Sequence, residues 1–137
     1  MYITTAQLIK QFGEQELIQR TDREPYTGAI NQLVLDELIG AAERRIDGYL
    51  RKVYTLPLGA DVIAGSALSE ICGALVRYAL YKDTATDEVT NRYKDAIAWL
   101  RDVRSGLVTL GVADAEVAET GTMVVRNGVS RMDWDSY

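Results

Sequence analysis

From Leu33 to about Val53, apolar or small residues recur at Leu35, Leu38, Ile39, Ala42, Ile46, Tyr49, Leu50 and Val53. Successive residues of an α-helix turn by about 100°, so steps of three and four place these side chains on one side. A helix this long cannot leave such a stripe in water. It demands other helices or a sheet to cover it, and this demand constrains the chain more than any other feature. The opposite side carries Glu37, Glu43, Arg44, Asp47 and Arg51, suited to solvent or a polar partner. The helix is expected to stop before Pro57, whose ring biases Leu56 away from helical geometry.

The covering elements are also helical in pattern. A second helix is predicted from near Asp61 to about Lys82, with Leu68, Ile71, Cys72, Leu75, Val76, Ala79 and Leu80 forming a broad apolar stripe. A stripe that wide suits the central helix of a bundle. Thr86 is placed to cap a third helix, with Asp87 and Glu88 in its first turn where the macrodipole favours negative charge. Val89, Tyr93, Ala96, Ile97, Leu100 and Val103 make its seam, and Gly106 closes it. "LVTLGV" (107–112) reads as a short extended segment. Upstream, "TTAQLIKQFG" reads as a short helix with Thr4 and Gln7 in a capping box and Gly13 as its stop. "EQELIQRTD" continues as a turn or two, and Asn31 is placed to cap the long helix.

The last residues read differently. Of a net charge of −5, residues 113–137 hold −3, with two basic and five acidic groups. "VADAEVAETG" has the small, acidic composition of a linker. Beyond it, Asn127-Gly128 between β-prone residues is a strong signal for a two-residue hairpin turn. Pairing Arg126 with Val129 puts Met123, Val125 and Met132 on one face. A lone two-stranded hairpin is marginal in water, so another surface is expected to cover it. Met123, Val124, Val125, Val129, Met132 and Trp134 are therefore the candidate partner-binding residues. The pattern as a whole predicts a mainly α fold. Residues 1–112 form a compact bundle of three longer helices plus short N-terminal helices, and residues 113–137 form a C-terminal extension with an acidic linker and a β-hairpin.

Composition narrows the chemistry. The chain of 137 residues contains no histidine and a single cysteine, Cys72. This removes the usual base near neutral pH, the Ser/His and Cys/His catalytic arrangements, any intrachain disulfide and any multi-cysteine metal site. No enzyme activity, catalytic residue, metal or cofactor is expected. Net negative charge opposes non-specific attraction to phosphate backbones. No run of about 18 apolar residues and no basic-then-apolar leader occur, so no membrane partner and a cytoplasmic start are expected.

Several motifs invite sharper readings. Asp22 and Glu24 stand at positions one and three of a calcium loop. Thr27 and Leu33 then occupy the positions that need glycine and a bidentate glutamate, which leaves a capped turn. Cys72 lies on an apolar stripe without an activating neighbour and reads as core. Asp87 and Glu88 point about 100° apart and serve the helix start. The paired segments around Gly13 suggest a helix-turn-helix, and with it the alternative of a small DNA-binding or packaging protein. The second helix, however, would aim Glu14 and Glu16 at phosphates. Arg44-Arg45 and Arg51-Lys52, interleaved with acids, read as a solvated or ion-paired face.

"FGEQELIQRTD", "IDGYLRKVYTLPL", "RYALY" (77–81) and "DEVTNRYKDAIAWLRDVRSG" (87–106) occur in an order that resembles the small Mu-like phage head proteins classed with head-tail connectors, also called adaptor or head-completion proteins. The resemblance covers about residues 1–112. It marks Tyr49, Tyr54, Leu56, Pro57, Leu58, Arg77, Tyr78, Tyr81, Tyr93 and Trp99 as family positions. Residues 23–30 depart from the acidic, glycine-containing loop that members often carry. The resemblance implies a structural virion protein at the head-tail junction, with a helical connector domain over 1–112. It implies a ring, commonly of twelve copies, under the portal. Such a ring extends the DNA channel and meets a neck or tail-completion protein, with double-stranded DNA only as non-specific cargo.

Overall fold

The computed structural model describes residues 1–22 and 26–110. Helix α1 spans Thr5–Phe12, α2 Glu14–Thr21, α3 Gln32–Leu50, α4 Ala60–Ala64, α5 Leu68–Tyr81 and α6 Asp87–Ser105, with a 3-10 turn at Lys82–Thr84. No strand occurs among the described residues. The expected hairpin, and the boundary between 112 and 113, lie outside them.

Local chemistry sets most helix ends. The Thr4 side chain accepts from the Gln7 amide while the Gln7 side chain accepts from the Thr4 amide, the reciprocal cap expected from the sequence. Gly13 has φ +93, a conformation that L side chains rarely adopt, and it separates α1 from α2. The Asn31 and Thr86 side chains accept from the Val34 and Val89 amides, each at 3.3 Å, and start α3 and α6. Gly106, in the left-handed region, ends α6.

Three expectations need correction. The long helix stops at Leu50, and Val53 follows it in a turn. The span from Asp61 to Lys82 is two helices: the chain breaks at Gly65–Ala67, where the Ser66 hydroxyl donates to the Ile63 carbonyl and accepts from the Leu68 amide. That hydroxyl offers the backbone a local alternative to the helical ladder. Of the extended segment expected over 107–112, the described residues 107–110 open with a bend at Leu107 and Val108 in place of extended backbone. Leu107 and Val108 donate to the Asp102 carbonyl, and Leu110 donates to the Tyr54 hydroxyl.

Helix α5 packs against every other helix, as its wide stripe demands. Its Leu68, Cys72 and Val76 are fully buried and meet a core that includes Ile46 and Leu50 of α3 and Leu100 of α6. Burying one such side chain stabilises by about 1.5–3 kcal/mol. Tyr78 of α5 stacks on Tyr93 of α6, and a short turn joins these helices, so they run antiparallel. Arg45 lies over Tyr93 while Arg104 lies over Tyr49, and the chain beyond α6 returns to Tyr54 beyond α3. Helices α3 and α6 therefore run in the same direction, with α5 reversed between them.

Before α1, Tyr2 and Ile3 are buried. The Tyr2 amide donates to Glu43 at 2.8 Å and its hydroxyl donates to Asp47, both on α3. Thr21, the one buried polar residue among those described, joins α2 to the start of α3. Its hydroxyl donates to the Leu17 carbonyl at 2.7 Å and accepts from the Asn31 amide at 2.9 Å. With the Thr21 hydroxyl paired on both sides, its hydrogen bonds offset the cost of taking it out of water.

Candidate functional site

The candidate partner-binding residues Met123, Val124, Val125, Val129, Met132 and Trp134 lie outside the described residues. What the fold arranges is the set of aromatic and basic positions marked in the sequence. Most of them turn out to hold elements together.

Arg77 sits at the centre of one group. Its guanidinium makes two hydrogen bonds to the Glu16 carboxylate, at 2.7 and 3.1 Å, and lies 4.7 Å from the Phe12 ring centre. Both members of the pair are mostly shielded, with side chains 14% and 19% exposed. Hydrogen bonding to Glu16 raises the Arg77 pKa above its ordinary value, and this outweighs the opposing effect of burial. Arg20 stacks at 4.0 Å over Tyr81, so α2 is fastened to the end of α5 by the Glu16–Arg77 pair and by Arg20 on the Tyr81 ring. Glu16 is thus tied inward, and the opening turn of α2 is engaged with the bundle.

Beside this group a cleft of about 560 Å³ opens between α1, α5 and α6. Phe12, Ile71, Ala74 and Trp99 supply its apolar wall, and Glu70, Arg92 and Asp95 its polar rim. Arg92 pairs with Glu88 at 3.2 Å, an exposed bridge of little energetic weight. Trp99, one of the marked positions, is half-buried on this wall.

The remaining marked positions shape the far end of the bundle. The Leu56–Pro57 peptide bond is cis, with Leu56 and Leu58 packed on the core. Tyr54 is buried, and its hydroxyl holds Leu110. Cys72 is fully buried. Burial pushes its thiol up to about 12, with the nearby Glu43 charge adding to the effect, so it rests protonated in the core. The Asp22 carboxylate accepts from the Thr27 and Gly28 amides, so it ties the turn into which the calcium-loop comparison had placed it. Among the described residues, no group of three or more His, Cys, Asp or Glu side chains could hold a metal ion. No helix among the described residues is long and apolar enough to cross a membrane.

The sequence singled out these residues by type. It could not show the long-range ties Tyr2 to Glu43, Thr21 to Asn31 and Arg77 to Glu16, which connect residues of unrelated local patterns.

A family model described as Bacteriophage Mu, Gp36 matches residues 2–127, nearly the whole chain. The chain belongs to the Bacteriophage Mu Gp36 family. Its relatives include the Mu-like prophage FluMu protein gp36 of Haemophilus influenzae, 29% identical over 131 residues that cover 93% of this chain and 90% of that protein. Gene product J of Escherichia phage Mu is 27% identical over 117 residues, 85% of this chain and 81% of that protein. The Gp36 match runs past residue 112, where the resemblance read from the sequence stops, and takes in Met123, Val124 and Val125. The expectation of a Mu-like phage protein therefore stands, and it embraces part of the C-terminal extension.

Proposed function

We propose that this chain is a structural virion protein, a head-tail connector or adaptor. It assembles as a ring under the portal, extends the DNA channel and joins the capsid to the neck or tail. Membership of the Gp36 family along residues 2–127 carries this reading. The architecture supports it. Helix α5 is locked between two parallel long helices, and the N-terminal pair is fastened by Arg77 and Arg20, which makes a body suited to bearing load. The marked residues Tyr54, Tyr78 and Tyr93 brace that body internally. No enzyme activity and no cofactor are part of this reading.

Residues 113–137 are the proposed portal contact, through Met123, Val124, Val125, Val129, Met132 and Trp134. Such a segment trades ordering entropy for pairing and apolar burial when it binds. The test is co-assembly of the purified chain with the portal of its own phage, with and without residues 113–137. The full chain is expected to join the portal. The truncated chain is expected to keep its helical signal and fail to join. Equal assembly by both would remove the role given to the extension, and no assembly by either would remove the connector reading.

A further inference from the structure

Each basic pair on α3 splits across the helix. Adjacent residues point about 100° apart, so Arg45 turns toward α6 and lies over Tyr93, while Arg44 folds back along α3 with its guanidinium 3.4 Å from where a Gly40 side chain would begin. On α6, Arg104 lies over Tyr49, and helical spacing places Lys94 and Arg101 on the same side. Arg45, Lys94, Arg101 and Arg104 are exposed, and none has a carboxylate of the described residues within bridging distance, since the ion pairs among those residues are Arg77–Glu16 and Arg92–Glu88. The rows facing this seam, from Leu38 to Tyr49 on α3 and from Thr90 to Arg104 on α6, carry no carboxylate at steps of three and four. In a chain of net charge −5, this is a segregated basic stripe about 15 Å long.

We infer that the α3–α6 seam is a contact surface for the phosphate backbone of duplex DNA. A protein partner would need an unoccupied apolar anchor at the centre of the contact. Here Tyr49 and Tyr93 are already covered by the chain's own guanidiniums, and the exposed large apolar residues among those described, Met1, Tyr26, Leu33 and Leu107, fall outside the helical rows that line the seam. Spaced, unpaired cations without such an anchor suit phosphates, which position a duplex without reading its sequence. The overall negative charge keeps the contact weak and short-lived. The seam is distinct from the N-terminal helix pair, whose Glu16 is held by Arg77. The inference does not rest on the ring or the portal.

The test is fluorescence anisotropy of the full chain with a short blunt DNA duplex of mixed sequence, titrated with salt. Binding is expected at low salt, with log affinity falling by about 0.9 per phosphate contact as log salt rises. K94Q/R101Q touches neither stacked tyrosine and is expected to flatten that slope by about 2; R45Q/R104Q is expected to do the same, with helicity checked by circular dichroism. R44Q/R51Q, on the outward side of α3, is expected to leave the slope unchanged. Absence of binding at low salt, or a K94Q/R101Q slope equal to that of the unaltered chain, overturns the inference. If K94Q/R101Q binds DNA normally but no longer joins the portal, the seam belongs to a protein partner, and the inference is likewise overturned.

Discussion

The Tyr54 hydroxyl accepts a hydrogen bond from the Leu110 amide at 3.1 Å, across 56 residues of sequence. One phenol thereby fixes where the chain goes after α6. Tyr54→Phe leaves that buried amide without its acceptor at almost unchanged volume, so it is expected to cost about 1–3 kcal/mol. Urea denaturation measures the loss, and faster hydrogen exchange at the Leu110 amide locates it.

The Arg77–Glu16 pair is shielded and doubly hydrogen-bonded, unlike the exposed Arg92–Glu88 bridge. Glu16→Gln is expected to cost about 1.5–3 kcal/mol, whereas Glu88→Gln is expected to cost less than about 0.5 kcal/mol. A double-mutant cycle with Arg77→Met should return a coupling energy for the first pair. If the cycle shows the two changes to be additive, the two arms are not coupled through this contact.

Stability should fall in alkaline solution. The Cys72 thiol is raised from its ordinary 9.0 to about 12 in the folded chain, and burial also raises the Tyr2 hydroxyl above its ordinary 10.0. The folded state thus holds these protons more tightly than the unfolded state. The contribution of these two protons to stability is complete below about pH 9 and declines as pH rises toward 12. Cys72→Ala removes the thiol's share of this slope and Tyr2→Phe the hydroxyl's share, as read from denaturation midpoints between pH 8 and pH 11. A thiol reagent should leave Cys72 unmodified until the protein unfolds.

Gly73 marks where α1 approaches α5. A side chain there would meet the Gln11 amide oxygen and, at 3.3 Å, the buried Ile3. Gln11 is exposed and can swing aside, and alanine favours helix by about 1 kcal/mol over glycine. Gly73→Ala is therefore expected to change stability by less than about 1 kcal/mol. Gly73→Leu has to displace Ile3 as well and is expected to cost about 1–3 kcal/mol. Thermal unfolding of both variants separates tolerance of a methyl from tolerance of bulk.

Features decided within one turn of helix were legible in the sequence. Thr4 with Gln7, Asn31, Thr86 and Gly106 each act on backbone groups three or four residues away, and each sits where its residue type predicts. The break at Gly65–Ala67 was hidden because an apolar stripe continues on both sides, and a glycine alone does not rule out a helix. The basic pairs on α3 looked uniform in the sequence. Only the position of α6 separates Arg45 from Arg44, because one of two adjacent side chains finds Tyr93 and the other does not. Tyr49, Tyr54, Tyr78 and Tyr93 were picked out by resemblance, and the structure supplies the physical reason for each: a ring under an arginine, an acceptor for a distant amide, and a stacked pair between antiparallel helices.

The shared direction of α3 and α6 makes the bundle an arrow. The carbonyl ends of these two helices gather near Leu110, and their amide ends gather where α5 turns into α6. Copies standing shoulder to shoulder in one sense would show unlike rims above and below, as a threaded pipe fitting does. Whatever such an array received on one rim, it would hand on through a different surface on the other.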